Sequence, residues 1–179
     1  DVCSSDLLRK RPHTEFLRWV GCVRPSKRLH ERFWLLGGLI LFSLAMTAFE
    51  HLLGWDEALA ELVATGPVAQ LIRIEPVGAA LLAGMSYAFL RTAGAEEILV
   101  RGVLYKRLIP IIGLTWANLV QSLLFTLLHN WIVFAALPDA PLWIHADIFI
   151  RIFAMSGAIG WFMEARDNGS LLMPWLCHG

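Results

Sequence analysis

Residues 94–102 read GAEEILVRG. The stretch before them is PVGAALLAGMSYAFL (76–90), and IIGLTWANLVQSLLFTLLH (111–129) follows soon after. Two adjacent carboxylates, Glu96 and Glu97, and one cation, Arg101, thus sit inside the most apolar part of the chain. Ionisable groups at membrane depth are costly, and they face a bundle interior or a watered cavity rather than lipid. The stretch therefore predicts an all-α, polytopic transmembrane helix bundle built around a polar interior, of about five helices. Adjacent helical positions diverge by about 100°, so the two glutamates cannot do the same job. Glu97 and Arg101 are i,i+4 in the favourable order and should pair. Glu96 has no such local partner, and a carboxylate so placed suits a general base. The plainer alternative puts both glutamates at a solvated interface, with Arg101 snorkelling.

The composition agrees with a membrane as solvent. Of 179 residues, 57% are hydrophobic and 17% charged, against roughly 45–50% apolar in a soluble domain. Mean hydropathy is +0.59. Net charge is zero, yet eight of the fifteen Lys and Arg fall in the first 32 residues. An apolar run follows directly, so this is a basic flank of a first membrane helix rather than a nucleic-acid surface, and it predicts a cytoplasmic N-terminus. Cys3, Cys22 and Cys177 have neither disulfide-framework nor zinc-finger spacing and read as unpaired thiols.

Residues 1–7, DVCSSDL, resemble a translated sequencing adapter and are set aside from the fold. Residues 8–32 form a basic cytoplasmic or interfacial segment. A first transmembrane helix at 33–49 and an acidic outer loop complete residues 33–75. That loop carries Glu50, Asp56, Glu57, Glu61 and Glu75 against Arg73. A signal peptide is the weaker reading of 33–49, because no small-residue cleavage site follows. One long helix is expected from Pro76 to about Leu108, broken at Pro110. A span at 111–134 comes next. ALPDAPLWIHAD reads as an outer loop, and 146–163 as the returning span, with Gly157 and Gly160 offering a close-packing face. EARDNG reads as a turn, and SLLMPWLCHG as the start of a fifth helix that the chain is expected to leave unfinished.

His129 shares a helix face with Phe125, and His178 lies on the last apolar helix. Each alone is an ordinary core histidine. As a set, two histidines and a Glu-Glu-Arg on three apolar helices suggest one centre. Glu96 lies about 21 Å along its helix from Pro110, and His129 about 28 Å along the next, a mismatch within reach of tilt. Asn118 and Phe125 are candidates for lining the cavity. Arg91 and Arg151 are further intramembrane cations; Asp147, Glu164 or a site carboxylate are the expected partners of Arg151.

Three stretches carry a family resemblance. EEILVRG resembles the EExxxR motif of the CPBP family, the CAAX proteases and bacteriocin-processing enzymes also called Abi. FTLLH (125–129) resembles its FxxxH motif, and GAIGWFMEARDNGSLLMPWLCH (157–178) the approach to its second histidine. They occur in the family's order over 76–179, a CPBP-like core incomplete at the C-terminus, where a polar residue expected after His178 lies beyond the chain end. The resemblance implies an intramembrane endopeptidase of the CAAX prenyl endopeptidase type with a cavity open to the cytoplasm. Its implied substrate is a peptide or protein, prenylated or leader-bearing, at the lipid of a prokaryotic plasma membrane. Residue by residue, it makes Glu96 the carboxylate that activates water, with Glu97 and Arg101 supporting it. His129 positions the water, and His178 helps to stabilise the oxyanion.

Two mechanisms fit these residues. Metal-free catalysis is favoured, because the compact H-E-x-x-H spacing of the usual zinc peptidases is missing. If a metal site exists, Zn held by Glu96, His129 and His178 is the candidate. A non-catalytic scaffold or immunity protein of the same fold is one rival, although it should have lost Glu96 or a histidine. A transporter fragment is the other, although it should show inverted repeats and broken helices.

Overall fold

The computed structural model describes residues 13–54, 77–136 and 138–178. Among them every regular element is helical, in line with the all-α expectation. Helix α1 is His13–Val20 and α2 is Leu29–Leu52. Helix α3 runs from 77 to 112 and α4 from 114 to 136. Helix α5 is Leu142–Arg166, and α6 is Leu172–His178. Asp56, Glu57, Glu61, Arg73 and Glu75 of the expected acidic loop lie outside the described residues, as do residues 1–12 and the side chain of Arg91.

Helix α3 is not uniform. Tyr87–Ala93 and Glu97–Tyr105 are π-helical, with the three-residue α turn Gly94–Glu96 between them. The junction residues Ser86, Ala93, Glu96 and Glu97 all keep right-handed helical dihedrals, so the axis continues through them. The wider i→i+5 turns frequently occur at functional sites, and here they flank the two glutamates.

The apolar run Gly94–Ala135 has 42 residues. Straight, it would be about 63 Å long, roughly twice a ~30 Å bilayer core. Gly113 solves this with φ 79° and ψ 165°, a conformation open essentially to glycine alone. The expected break at Pro110 therefore falls three residues later. Proline removes one N–H from the ladder, but the change of direction needs a positive φ, which proline cannot adopt. Helix α4 then folds back beside α3 and lies along α5.

Two further boundaries differ from expectation. The first span is longer than 33–49 and begins at Leu29. The expected outer loop ALPDAPLWIHAD is largely helix, because α5 begins at Leu142 directly after Pro141, which sits at the N-cap with extended backbone. Leu29–Leu52, Gly94–Ala135 and Leu142–Arg166 are long and apolar enough to cross a membrane.

Burial is inverted relative to a soluble domain. Trp34, Leu41, Leu52, Leu90, Ile111, Trp116, Trp131 and Leu142 are exposed, whereas Glu97, Arg101, Gln121, Ser122, Thr126, Asp147, Ser156 and Asp167 are buried. Lipid can solvate the first set, and the second must find partners inside the bundle. The expected small-residue seam is present. Asn118 donates to the Gly157 carbonyl at 2.9 Å, and Gln121 donates to Asn118 Oδ1 at 3.0 Å and to the Ser156 carbonyl at 3.3 Å. A Cβ on Gly160 would stand 2.5 Å from Asn118 Oδ1, so it would push the amide out of this hydrogen-bonded position.

The N-terminal segment is laced to the core at two places. Residues 21–26 form a strap over the turn between α5 and α6. Leu171 N–H donates to the Gly21 carbonyl at 3.0 Å, Ser26 N–H to Asp167 Oδ1 at 2.8 Å, and Arg32 to the same oxygen at 2.6 Å. Farther along, Arg151 donates to Asp147 at 2.8 Å, as expected, and also pairs with Glu50 of α2. Glu164, the other anticipated partner, pairs with Lys106 at 2.9 Å instead.

Candidate active site

Glu96 and Glu97 leave α3 in different directions, as consecutive positions must. Glu97 is 1% exposed, and its Oε1 accepts from Arg101 Nη1. Arg101 is also buried. Its second nitrogen, Nη2, donates to Ser156 Oγ on α5 at 3.0 Å, and its guanidinium lies 5.2 Å from the Phe125 ring centroid on α4. Ser156 in turn donates to Gln121 Oε1 at 3.3 Å. The pair predicted by i,i+4 spacing is thus braced by two other helices. Removing two ions from water is expensive, and only such added hydrogen bonds offset it.

Glu96 is half-buried and faces both histidines. His129 Nε2 is 3.6 Å from Glu96 Oε2, and His178 Nε2 is 3.5 Å from the same oxygen. The two imidazole centroids are 6.2 Å apart. Phe125 packs against both rings, at 4.3 Å from His129 and 5.4 Å from His178. Three helices, α3, α4 and α6, therefore deliver the three groups to one point.

The outer nitrogens decide what those groups can do. His129 Nδ1 lies 2.8 Å from the Phe125 carbonyl, and His178 Nδ1 lies 2.9 Å from Glu97 Oε1. Both partners are acceptors only, so each Nδ1 carries the proton and donates it. In the neutral ring each Nε2 then offers a lone pair. Two nitrogen lone pairs and the Glu96 oxygen converge, and Glu96 Oε2 is buried without a hydrogen-bond donor among the described residues. An arrangement of acceptors alone suits a water that donates, a proton, or a cation.

A cavity of about 300 Å³ opens beside these groups, lined by Glu97, Arg101, Phe125, His129, Ser156 and His178 together with apolar residues of α5. Of the expected site residues, Glu96, Glu97, Arg101, Phe125, His129 and His178 come together. Asn118 does not line this cavity. It is spent on the α4–α5 seam. Ser156, Gln121 and Trp175 were not anticipated from the sequence. Trp175 Nε1 donates to the Phe89 carbonyl at 2.6 Å, tying α6 to the first π turn of α3, one helical turn before His178. A signal for Gln121 existed: 121, 125 and 129 fall four apart and mark one face of α4. No local signal marks Ser156.

For the donor set itself, Glu96, His129 and His178 can bring one ligand atom each within 4.8 Å of one another. Nitrogen and carboxylate donors whose outer N–H groups are already oriented are the chemistry of a zinc site, so these residues fit that ion.

Comparison with protein families matches residues 78–179, more than half of the chain, to the family described as type II CAAX prenyl endopeptidase Rce1-like. Neither the curated proteins nor the solved structures give a match.

Proposed function

The chain belongs to the type II CAAX prenyl endopeptidase Rce1-like family, a membrane protease family, and on that premise we propose that it hydrolyses a peptide bond with Glu96 as general base. The observation that supports this is the convergence of both Nε2 atoms on Glu96 Oε2, at 3.6 and 3.5 Å. With His178 protonated on both nitrogens, a water beside Glu96 and neutral His129 donates one proton toward Glu96 Oε2 and the other toward His129 Nε2. As the water oxygen adds to the scissile carbonyl carbon, Glu96 takes its proton. His178, when protonated on both nitrogens, donates through Nδ1 to Glu97 and through Nε2 to the developing oxyanion. Glu96 then returns the proton to the departing amine nitrogen, and the C–N bond breaks. Glu97 and Arg101 do not touch the reacting atoms in this scheme; Glu97 holds His178, and Arg101 holds Glu97. The proposed substrate is a prenylated or leader-bearing peptide or protein presented at the membrane, with the N-terminal basic segment on the cytoplasmic side.

Glu96→Gln in the full chain, reconstituted in proteoliposomes with an internally quenched prenylated peptide, tests the assignment. A loss in kcat of about 10²- to 10⁴-fold with KM unchanged is expected. An unchanged kcat removes Glu96 from catalysis.

The donor set also carries a second reading. Zinc held by Glu96, His129 and His178 would supply Lewis-acid activation of water, with Phe125 and Glu97 orienting the two imidazoles. Full activity after exhaustive phenanthroline treatment is expected for the base mechanism. Loss of activity restored by added zinc favours the metal.

A further inference from the structure

The apolar stripe of α1 runs on past the protein that covers it. Phe16, Leu17 and Val20 fall on one face of this helix, at i, i+1 and i+4. Val20 is buried. It is seated on Gly102 of α3, where a Cβ would stand 2.5 Å from the Val20 carbonyl oxygen and 3.2 Å from the Val20 Cβ. One turn earlier, Phe16 and Leu17 are exposed. The end of α1 is firmly closed. Gly21 takes φ 98°, its N–H donates to the Arg18 carbonyl at 3.2 Å, and the N–H of Cys22 reaches back to the Leu17 carbonyl at 2.8 Å, the pairing of a glycine-terminated helix. Phe16 stacks on Trp19 at 5.8 Å, and the Arg107 guanidinium of α3 lies 3.4 Å from the centroid of the Trp19 ring. Helix α1 is thus fixed to α3, with part of its apolar face overhanging the bundle.

Cations surround that overhang. Arg18 of α1 and Arg24 and Lys27 just after it are exposed, and none of the three has an ion pair among the described residues. Arg28 and Arg166 differ, because both lie beside Glu31, at 3.1 and 3.8 Å. Leu29 and Phe33, one turn apart at the start of α2, add exposed apolar surface, as does Trp34. Water suits the three cations and leaves the apolar side chains unburied. Hydrocarbon does the reverse. A bilayer interface serves both, with apolar side chains at the acyl boundary and cations among the headgroups. A headgroup layer without net charge gives the cations no long-range attraction, whereas an anionic leaflet does.

We propose that α1 and residues 24–27 form a binding surface for anionic phospholipid headgroups of the membrane that the bundle crosses. Helix α1 lies in the interfacial plane with Phe16 and Leu17 at the acyl boundary, and Arg18, Arg24 and Lys27 meet the phosphates. Gly102 directly follows Arg101, so the lipid contact is joined through Val20 to the helix that carries the candidate active site.

Cys22, a free and exposed thiol between α1 and the cations, serves as the probe. The full chain carrying Cys3→Ser and Cys177→Ser is labelled there with a fluorophore and reconstituted in proteoliposomes. Phosphatidylglycerol and phosphatidylcholine, each with a nitroxide at the same upper acyl position, are compared as quenchers at equal mole fraction. Phosphatidylglycerol should be enriched at the probe by about fivefold for each cation that engages, and molar salt should remove most of that preference. Joint substitution Arg18→Gln, Arg24→Gln and Lys27→Gln should leave both lipids quenching alike. These exposed changes leave the Val20 seat intact, and the salt series reads the same attraction without any substitution. Equal quenching by the two lipids in the unsubstituted cations overturns the proposal, as does a preference that survives the triple substitution. Quenching by neither lipid also overturns it, and turns the surface toward a soluble acidic partner instead.

Discussion

Glu97 is the residue on which the site turns. One of its oxygens holds Arg101 and His178 together, while Ser156 and the Phe125 ring close around the guanidinium. Removing the cation leaves a buried charge without compensation, so Arg101→Ala should destabilise the protein by about 3–5 kcal/mol, read as thermal unfolding in detergent. Arg101→Lys keeps the charge but loses the planar fork, so Ser156 or Glu97 must go unmet. It should fall between wild type and Ala in stability. Ser156→Ala removes one charge-assisted bond and should cost about 1.5–3 kcal/mol. The Glu97–Arg101 pair was legible in five residues of sequence, because i,i+4 spacing brings the two side chains onto one face. Ser156 was not, since it stands 55 positions from Arg101 and only the packing of α5 brings it near.

At the scale of elements, the fold depends on two glycines with opposite jobs. Gly160 allows close approach: its absent Cβ is where Asn118 and Gln121 sit, 2.5 and 2.8 Å from the position a methyl would take. Gly160→Ala should cost about 1–3 kcal/mol by overpacking, seen as a lowered unfolding temperature. Gly113 has open space around it, so Gly113→Ala meets no clash. It must instead force φ 79° on an L-residue, at roughly 1–3 kcal/mol. The same unfolding assay reads both, and combining Gly160→Ala with Asn118→Ala, which makes room, should recover part of the first loss alone. The number and order of apolar helices were legible from hydropathy. The break was misplaced because Pro110 is the louder local signal, while the turn needs a dihedral only Gly113 can take. The two π segments have no composition signal at all.

Across the whole molecule, the N-terminal strap is held to the core by Asp167, which is fully buried and accepts from Ser26 and Arg32. Asp167→Ala removes all three bonds and leaves Arg32 without its anion. Hydrogen exchange at residues 21–28 should accelerate strongly, while the α4–α5 seam around Gly157 stays protected, since no part of the clasp reaches it. Uniform acceleration would mean instead that the strap is part of one cooperative unit with the bundle. The second attachment, Arg151 between Asp147 and Glu50, joins α2 to α5 near the opposite end of α2. Arg151 was recognised from sequence as a costly intramembrane cation, and Asp147 as its partner; Glu50, about a hundred residues earlier, had been assigned to a surface loop.

The sequence by itself determined that this is a helical membrane protein, which of its residues are too costly to face lipid, and that Glu97 must answer to Arg101. Those conclusions follow from local physics: transfer cost per residue, helical periodicity and nearest-turn contacts. Only the tertiary structure decided that Glu96, His129 and His178 meet at one point, and that Asn118 belongs to a packing seam rather than the cavity. Each of these depends on how α3, α4, α5 and α6 cross. Those crossings are set by the Gly113 dihedral, the Gly157–Gly160 seam and the Asp167 clasp, contacts between residues that no local window of sequence contains.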